Sequence, residues 1–251
     1  MAHDTEKEIH LREPPQDSNP SPKVKPPPQN EKIPVPFFYA PSDDGTDENL
    51  LILLHGLGDT HMPFSKLARQ LRLPQTAVLA LRAPEQVPFL YEESYMWFPS
   101  FDGLGELLAH PDPTPALELL DRVVAHLTAD CAWPAPRIHL FGFAQGGTLA
   151  AELALRQPPL GSVVSVCGPL LSYPTRPTRS ATPLLIAHRG DAGSLAAFKK
   201  GFESIVEHAM PVGGGMPASK PEWEPIMRFW SQRLSRRRAE GMYEVMSGMT
   251  G

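Results

Sequence analysis

The eight residues Leu140-Phe141-Gly142-Phe143-Ala144-Gln145-Gly146-Gly147 restrict the fold more than any other stretch of the chain. Residues 137–143 are mostly apolar, with the length and bulk of a buried strand, while Gly146 onward reads as a helix. Only one very tight turn is left to join them. That is the pattern of a G-x-S-x-G elbow, in which the central residue stands at the apex of a strained strand-to-helix turn and flanking glycines permit close backbone approach. Here the apex is Ala144, and a methyl group has no lone pair with which to attack a carbonyl. Glycine-rich strand–helix turns also recur in α/β proteins of unrelated function, so the octet alone leaves both readings open.

A second segment, Leu51-Ile52-Leu53-Leu54-His55-Gly56-Leu57-Gly58-Asp59-Thr60, is another buried strand running into a glycine loop. Together, residues 54–60 and 142–147 closely resemble the phospholipase/carboxylesterase family of α/β-hydrolases, which includes the acyl-protein thioesterases. The resemblance spans roughly residues 35–236. It implies an α/β-hydrolase fold, a mostly parallel central sheet with helices on both faces. It also implies hydrolysis of carboxylic esters or thioesters, on a small acyl ester or thioester or an acylated protein, with water as co-substrate and no metal or organic cofactor.

Several site residues follow from the same resemblance. The backbone amides of Leu57 and Gln145 fall where the family's oxyanion donors lie, and neither depends on its side chain. Asp191 falls in the loop that carries the triad acid, although His188-Arg189-Gly190-Asp191 is one residue tighter than the family's His-Gly-x-x-Asp. The alternative for Asp191 is a loop carboxylate that caps the helix starting near Ser194. The family's base sits in a Gly-His dipeptide after a short strand. This chain has Met210-Pro211-Val212-Gly213-Gly214-Gly215-Met216-Pro217 there, and no histidine after His208. His208 itself falls near the end of an expected helix, where an imidazole also suits the helix dipole.

A chain of 251 residues, 41% of them hydrophobic, supports one sizeable core with tails. Residues 1–32, rich in proline and charge, read as a disordered tail, and Pro26-Pro27-Pro28 as a solvated spacer or a polyproline ligand. The domain runs over 33–238, and 239–251 is a loose second tail. No apolar run reaches membrane-spanning length, the N-terminus lacks a signal peptide's apolar segment, and Cys131 and Cys167 are too few for a disulfide framework or zinc site. These features point to a cytoplasmic protein with no stable membrane insertion. A net charge of −5 argues against nucleic acid as the main partner, and the oligomeric state is open.

Between the two motifs, residues 87–101 carry Phe89, Tyr91, Tyr95, Trp97, Phe98 and Phe101. Such crowding is read either as core packing or as an apolar lining above the site, with Trp97 and Phe98 the candidate substrate contacts. A helix is expected from about Ser194 to Ala209, with Leu195, Phe198, Phe202, Ile205 and Val206 inward. A capping box, Ser219-Lys220-Pro221-Glu222, starts a final helix bearing Trp223, Ile226, Met227 and Trp230.

The missing groups carry a message of their own. A serine replaced on its own would leave a Gly-His in place, so the loss of both nucleophile and base is the pattern of a degenerate site. The competing reading is that the base comes from His55, His61 or His188. The function expected is therefore an impaired serine-hydrolase relative, or a pseudohydrolase that binds an acyl ligand or a protein partner.

Overall fold

A computed structural model describes residues 23–88, 92–175, 178–190 and 195–237. In chain order the elements are β1 (Phe37–Ala40), β2 (Asn49–Leu54), α1 (His61–Leu71), β3 (Thr76–Leu81), β4 (Glu85–Gln86), β5 (Tyr95–Met96), α2 (Thr114–Ala129), β6 (Ile138–Phe143), α3 (Gln145–Arg156), β7 (Ser162–Val166), β8 (Leu184–Arg189), α4 (Leu195–Gly201), β9 (Ile205–Met210) and α5 (Lys220–Arg233). The long strands form one sheet in the order β1-β3-β2-β6-β7-β8-β9, parallel throughout except for β1, with β4 and β5 as a separate small ribbon.

The unbroken apolar runs become central strands because both sheet faces are covered. Alternate side chains divide between two cores. Leu50, Ile52 and Leu140 pack with α2, α3 and α4, while Leu51, Leu53 and Phe141 pack with α1 and with Ile226, Phe229 and Trp230 of α5. The arrangement is the α/β-hydrolase fold. Parallel strands send all their C-terminal ends to one rim, so the segments beginning at His55, Arg82, Ala144, Cys167, Gly190 and Pro211 gather there, where open α/β sheets bind ligands.

Two sequence expectations need correction. The first is the tail boundary, because residues 23–33 are strapped to the domain. Lys25 N donates to Asp47 Oδ2 at 2.9 Å, Gln29 N to His126 Nε2 at 3.1 Å, and Ile33 is buried. Composition concealed this: three prolines, already extended, lose little entropy on docking, so a few hydrogen bonds and one apolar anchor hold the strap. Residues 1–22 lie outside the described set.

The second is the helix expected from Ser194 to Ala209. It is two elements: α4 ends at Gly201, and Ile205–Met210 is strand β9, paired in parallel with β8 over six residues. The spacing of Phe198, Phe202, Ile205 and Val206 suits a helix, but the free edge of β8 supplies six residues of ladder that a helix would forgo. His208 therefore lies on a strand rather than at a helix end.

His139, on β6, gives the fold a pH dependence. Its ring is fully buried, Nδ1 meets Ser162 Oγ at 2.8 Å, and Nε2 has no hydrogen-bond partner. Burial, aided by Arg137, pushes its pKa from 6.5 down to about 4. Above 6.5 the ring is neutral whether folded or not. As pH falls from 6.5 to about 4 the unfolded chain binds the proton first, so stability falls by up to about 3 kcal/mol. Urea midpoints at pH 7 and pH 4.5 should differ less in His139→Leu than in the native chain, and equal pH losses in both would assign the effect elsewhere.

Candidate active site

The elbow is present in full except for its nucleophile. Ala144 caps α3 with φ 48° and ψ −116°, a left-handed conformation costly for any side-chain-bearing residue, and Ala144 N donates to Val166 O at 2.8 Å. The glycines are dictated by backbone approach: a Cβ on Gly142 would lie 2.1 Å from Gly146 O, and one on Gly146 would lie 2.2 Å from Leu54 O. A Cβ on Gly56 would lie 3.5 Å from the Ala144 methyl, so the apex abuts the loop that follows β2.

The two amides singled out from the sequence flank that contact in the chain, Gln145 following the apex and Leu57 following Gly56. Gln145 opens α3, so its N–H has no intrahelical acceptor. Among the described residues neither Leu57 N nor Gln145 N donates to a backbone oxygen. The Gln145 side chain is locked, its Oε1 accepting from Trp97 N at 2.9 Å and its Nε2 donating to Phe98 O and Ser100 Oγ, both at 2.8 Å. Trp97 Nε1 donates to His55 O at 2.8 Å and Gly58 N to Tyr95 O at 2.9 Å, tying the glycine loop to the same segment.

Trp97 and Phe98 accordingly serve as buried supports. They are 1% and 4% exposed, and each is anchored at its main chain by Gln145, which leaves no ring face for a ligand. Their neighbours Val87, Met96, Pro99, Phe101 and Leu104 border a cleft of about 410 Å³ whose lining includes neither Ala144 nor the loop of residues 55–58. Phe89 and Tyr91 lie outside the described residues.

The strain at Ala144 is itself measurable. With no hydroxyl to aim, the left-handed apex serves no attack, so Ala144→Gly should stabilise the chain by about 1 kcal/mol, the relief of strain exceeding the added unfolded-state entropy. Chemical denaturation reads this directly, and a loss of stability would show that the apex is unstrained.

Three of the four candidate histidines are engaged elsewhere. His55 is completely buried; Ala83 N–H donates to its Nε2 at 2.9 Å, so its proton sits on Nδ1 and is given to Gly56 O at 2.7 Å. Burial, the largest influence, lowers its pKa, and the ring is a neutral brace. His61, at the start of α1, has its pKa lowered by burial and then by Arg82, and its Nδ1 is buried without a partner. His208 Nε2 donates to the main-chain oxygen of Glu222 at 3.0 Å, docking β9 on α5. His188 Nε2 meets Glu207 Oε1 at 3.1 Å and its Nδ1 meets Gly190 O at 3.2 Å. Asp191 lies outside the described residues.

A feature that sequence reasoning missed occupies the loop expected to carry the base. Arg189, the last residue of β8, sends Nη1 to Pro211 O at 2.9 Å, Nε to Gly215 O at 3.2 Å and Nη2 to Met216 O at 3.2 Å. Nη1 also lies 2.7 Å from Glu222 Oε1, both side chains being less than a tenth exposed. Glu222 Oε2 in turn accepts from Ala218 N at 2.8 Å and Ser219 N at 3.0 Å. These amides, with the Ser219 hydroxyl that donates to the same oxygen at 3.0 Å and the guanidinium, pull the carboxyl down to about 2. The signal in the sequence was a cation directly after His188, together with three glycines in place of Gly-His.

Comparison with known proteins agrees with this geometry. A sequence profile of the phospholipase/carboxylesterase family matches residues 40–194. An uncharacterized hydrolase of Mycosarcoma maydis is 40% identical over 212 residues, which is 78% of this chain and 80% of that one. Among solved structures, esterase PE8 superposes with a TM-score of 0.67 at 26% identity, covering 80% of this chain and 98% of its own. Acyl-protein thioesterase 2 of Zea mays superposes with a TM-score of 0.63 at 20% identity, covering 80% and 100%. No described helix is long and apolar enough to cross a membrane. The strained elbow, the glycine loop beside it and the extent of the profile match together place this chain in the phospholipase/carboxylesterase family of α/β-hydrolases.

Proposed function

We propose that this chain is a family member without serine-hydrolase turnover, which holds the carbonyl of an acyl ester or thioester, free or on a protein, at the Leu57 and Gln145 amides. The observation that carries this reading is Ala144 in the full elbow conformation: the strained backbone and the amide at the head of α3 are kept, while the attacking oxygen is absent. A second support is the loop after β9, where Arg189 and Glu222 hold a histidine-free segment closed. Two free cysteines suit a cytoplasmic setting.

Calorimetric titration with a methylene-ketone analogue of an acyl thioester, in which CH2 replaces the sulfur, tests the reading. One saturable site is expected, with no labelling by a fluorophosphonate and no sustained release of thiol from the parent thioester. Failure to bind would remove the ligand role. Multiple turnovers at around the enzyme median of 10 s⁻¹ would show a working hydrolase instead.

A further inference from the structure

We infer that the loop of residues 100–108 is a docking surface for a lysine- or arginine-rich, leucine-bearing segment of a partner protein. Four of the eleven exposed large hydrophobic residues among the described ones, Phe101, Leu104, Leu107 and Leu108, fall within eight positions of this loop. Leu104 and Leu107 are 88% and 76% exposed. Apolar side chains scattered singly over a surface are ordinary, but a cluster of them marks a place where something binds.

These side chains are held outward by a built frame. Phe101 and Leu107 are bridged as antiparallel partners, which puts both on one face of the loop. Asp102 Oδ1 accepts from Leu104 N at 2.8 Å and from Glu106 N at 2.9 Å, and Asp102 N donates to Glu106 O at 2.8 Å. Gly105 closes the turn at φ 83°, its N–H on Asp102 O at 3.1 Å. A frame already formed lowers the ordering cost of docking. Leu108 N donates to Ser100 O at 2.9 Å, and Ser100 Oγ accepts from Gln145 Nε2, so the root of the loop is tied to the first residue of α3. Beside it, the cleft bordered by Val87, Met96 and Phe101 has room for an apolar side chain of the partner.

Charge decides what kind of partner fits. Residues 83–112 hold six carboxylates, Glu85, Glu92, Glu93, Asp102, Glu106 and Asp112, and neither lysine nor arginine, more negative charge than the net −5 of the whole chain. All but Glu85 are exposed. The cation just before them, Arg82, lies over the Tyr95 ring at 4.1 Å. An anionic lipid surface would be repelled, whereas a protein segment that sets leucines among cations meets both the apolar loop and its acidic surround, with an affinity that salt weakens.

The inference requires no acyl ligand, and its test uses none. The full chain is titrated, by fluorescence anisotropy, with a labelled amphipathic peptide of about fourteen leucines and lysines. One saturable site is expected, weakened about tenfold between about 50 and about 500 mM salt. Affinity should fall about tenfold in Leu104→Ser/Leu107→Ser and about threefold in Glu106→Lys, substitutions confined to exposed side chains. Val212→Ser, which alters a 94% exposed side chain in the loop after β9, should bind as the native chain does. No saturable binding, equal affinity of the double variant, an equal loss in Val212→Ser, or equal affinity for the same peptide with glutamate in place of lysine would overturn the inference. So would cosedimentation with phosphatidylserine vesicles that the double variant loses, because the leucines would then serve a lipid surface.

Discussion

Ala144→Ser is expected to give a protein that a fluorophosphonate does not label and that hydrolyses a short-chain aryl ester within about tenfold of the native chain. The apex is otherwise placed for attack: a hydroxyl there would stand at the head of α3, against the loop that carries Leu57. What it would lack is a proton acceptor held at the elbow: His61 keeps a ring nitrogen without a partner, but among the described residues no hydrogen bond joins it to that turn. His55 is committed at both nitrogens, His208 gives its Nε2 proton to Glu222 O, and His188 is tied to Glu207. Removing a base from a working triad costs roughly 10⁶-fold in turnover, with about 10³ to 10⁴ over water surviving through binding and the oxyanion hole. The restored serine should therefore fall about six orders of magnitude short of a competent relative. Brisk turnover by Ala144→Ser would show that a base remains in reach and that a single missing oxygen explains the silence.

The elbow was legible in the sequence because its constraints are local. Gly142 and Gly146 are demanded by backbone contacts within one turn, and such demands leave a fixed spacing in the chain. The same holds for Ser219 and Glu222, whose carboxylate meets the Ser219 amide as the capping box requires. The errors fall where a distant partner decides. Residues 205–210 are a strand because β8 offers an edge, residues 23–33 are ordered because His126 and Asp47 receive them, and Trp97 is buried because Gln145, far along the chain, takes its amide. Helical spacing, proline content and aromatic crowding describe the segment itself and are silent about what lies across from it. Arg189 is the sharpest case. Its neighbours in sequence suggest a loop cation, and only the fold brings residues 211–216 and Glu222 around it.

Arg189→Ala is expected to lower the thermal midpoint by about 10 °C, the cost of leaving one member of a buried ion pair without its partner. Three loop carbonyls would lose their donor at the same time, and a stretch with glycines at 213, 214 and 215 has little intrinsic preference to keep it in place. Arg189→Lys should recover little, because a single ammonium cannot reach Pro211, Gly215, Met216 and Glu222 together as the planar fork does. The pH dependence has a definite sign. Glu222 has a depressed folded pKa of about 2, so its stabilisation is complete above the ordinary carboxylate range and is lost as pH falls toward 2. Without the guanidinium, the Ala218 and Ser219 contacts still favour the anion, but less strongly, so the loss on acidification should begin at higher pH. Melting curves at pH 7 and pH 3.5 for the native chain, Arg189→Ala and Arg189→Lys measure both effects. A midpoint for Arg189→Ala within 2 °C of native at pH 7 would mean that the loop holds itself, leaving the missing histidine alone to explain the lost base.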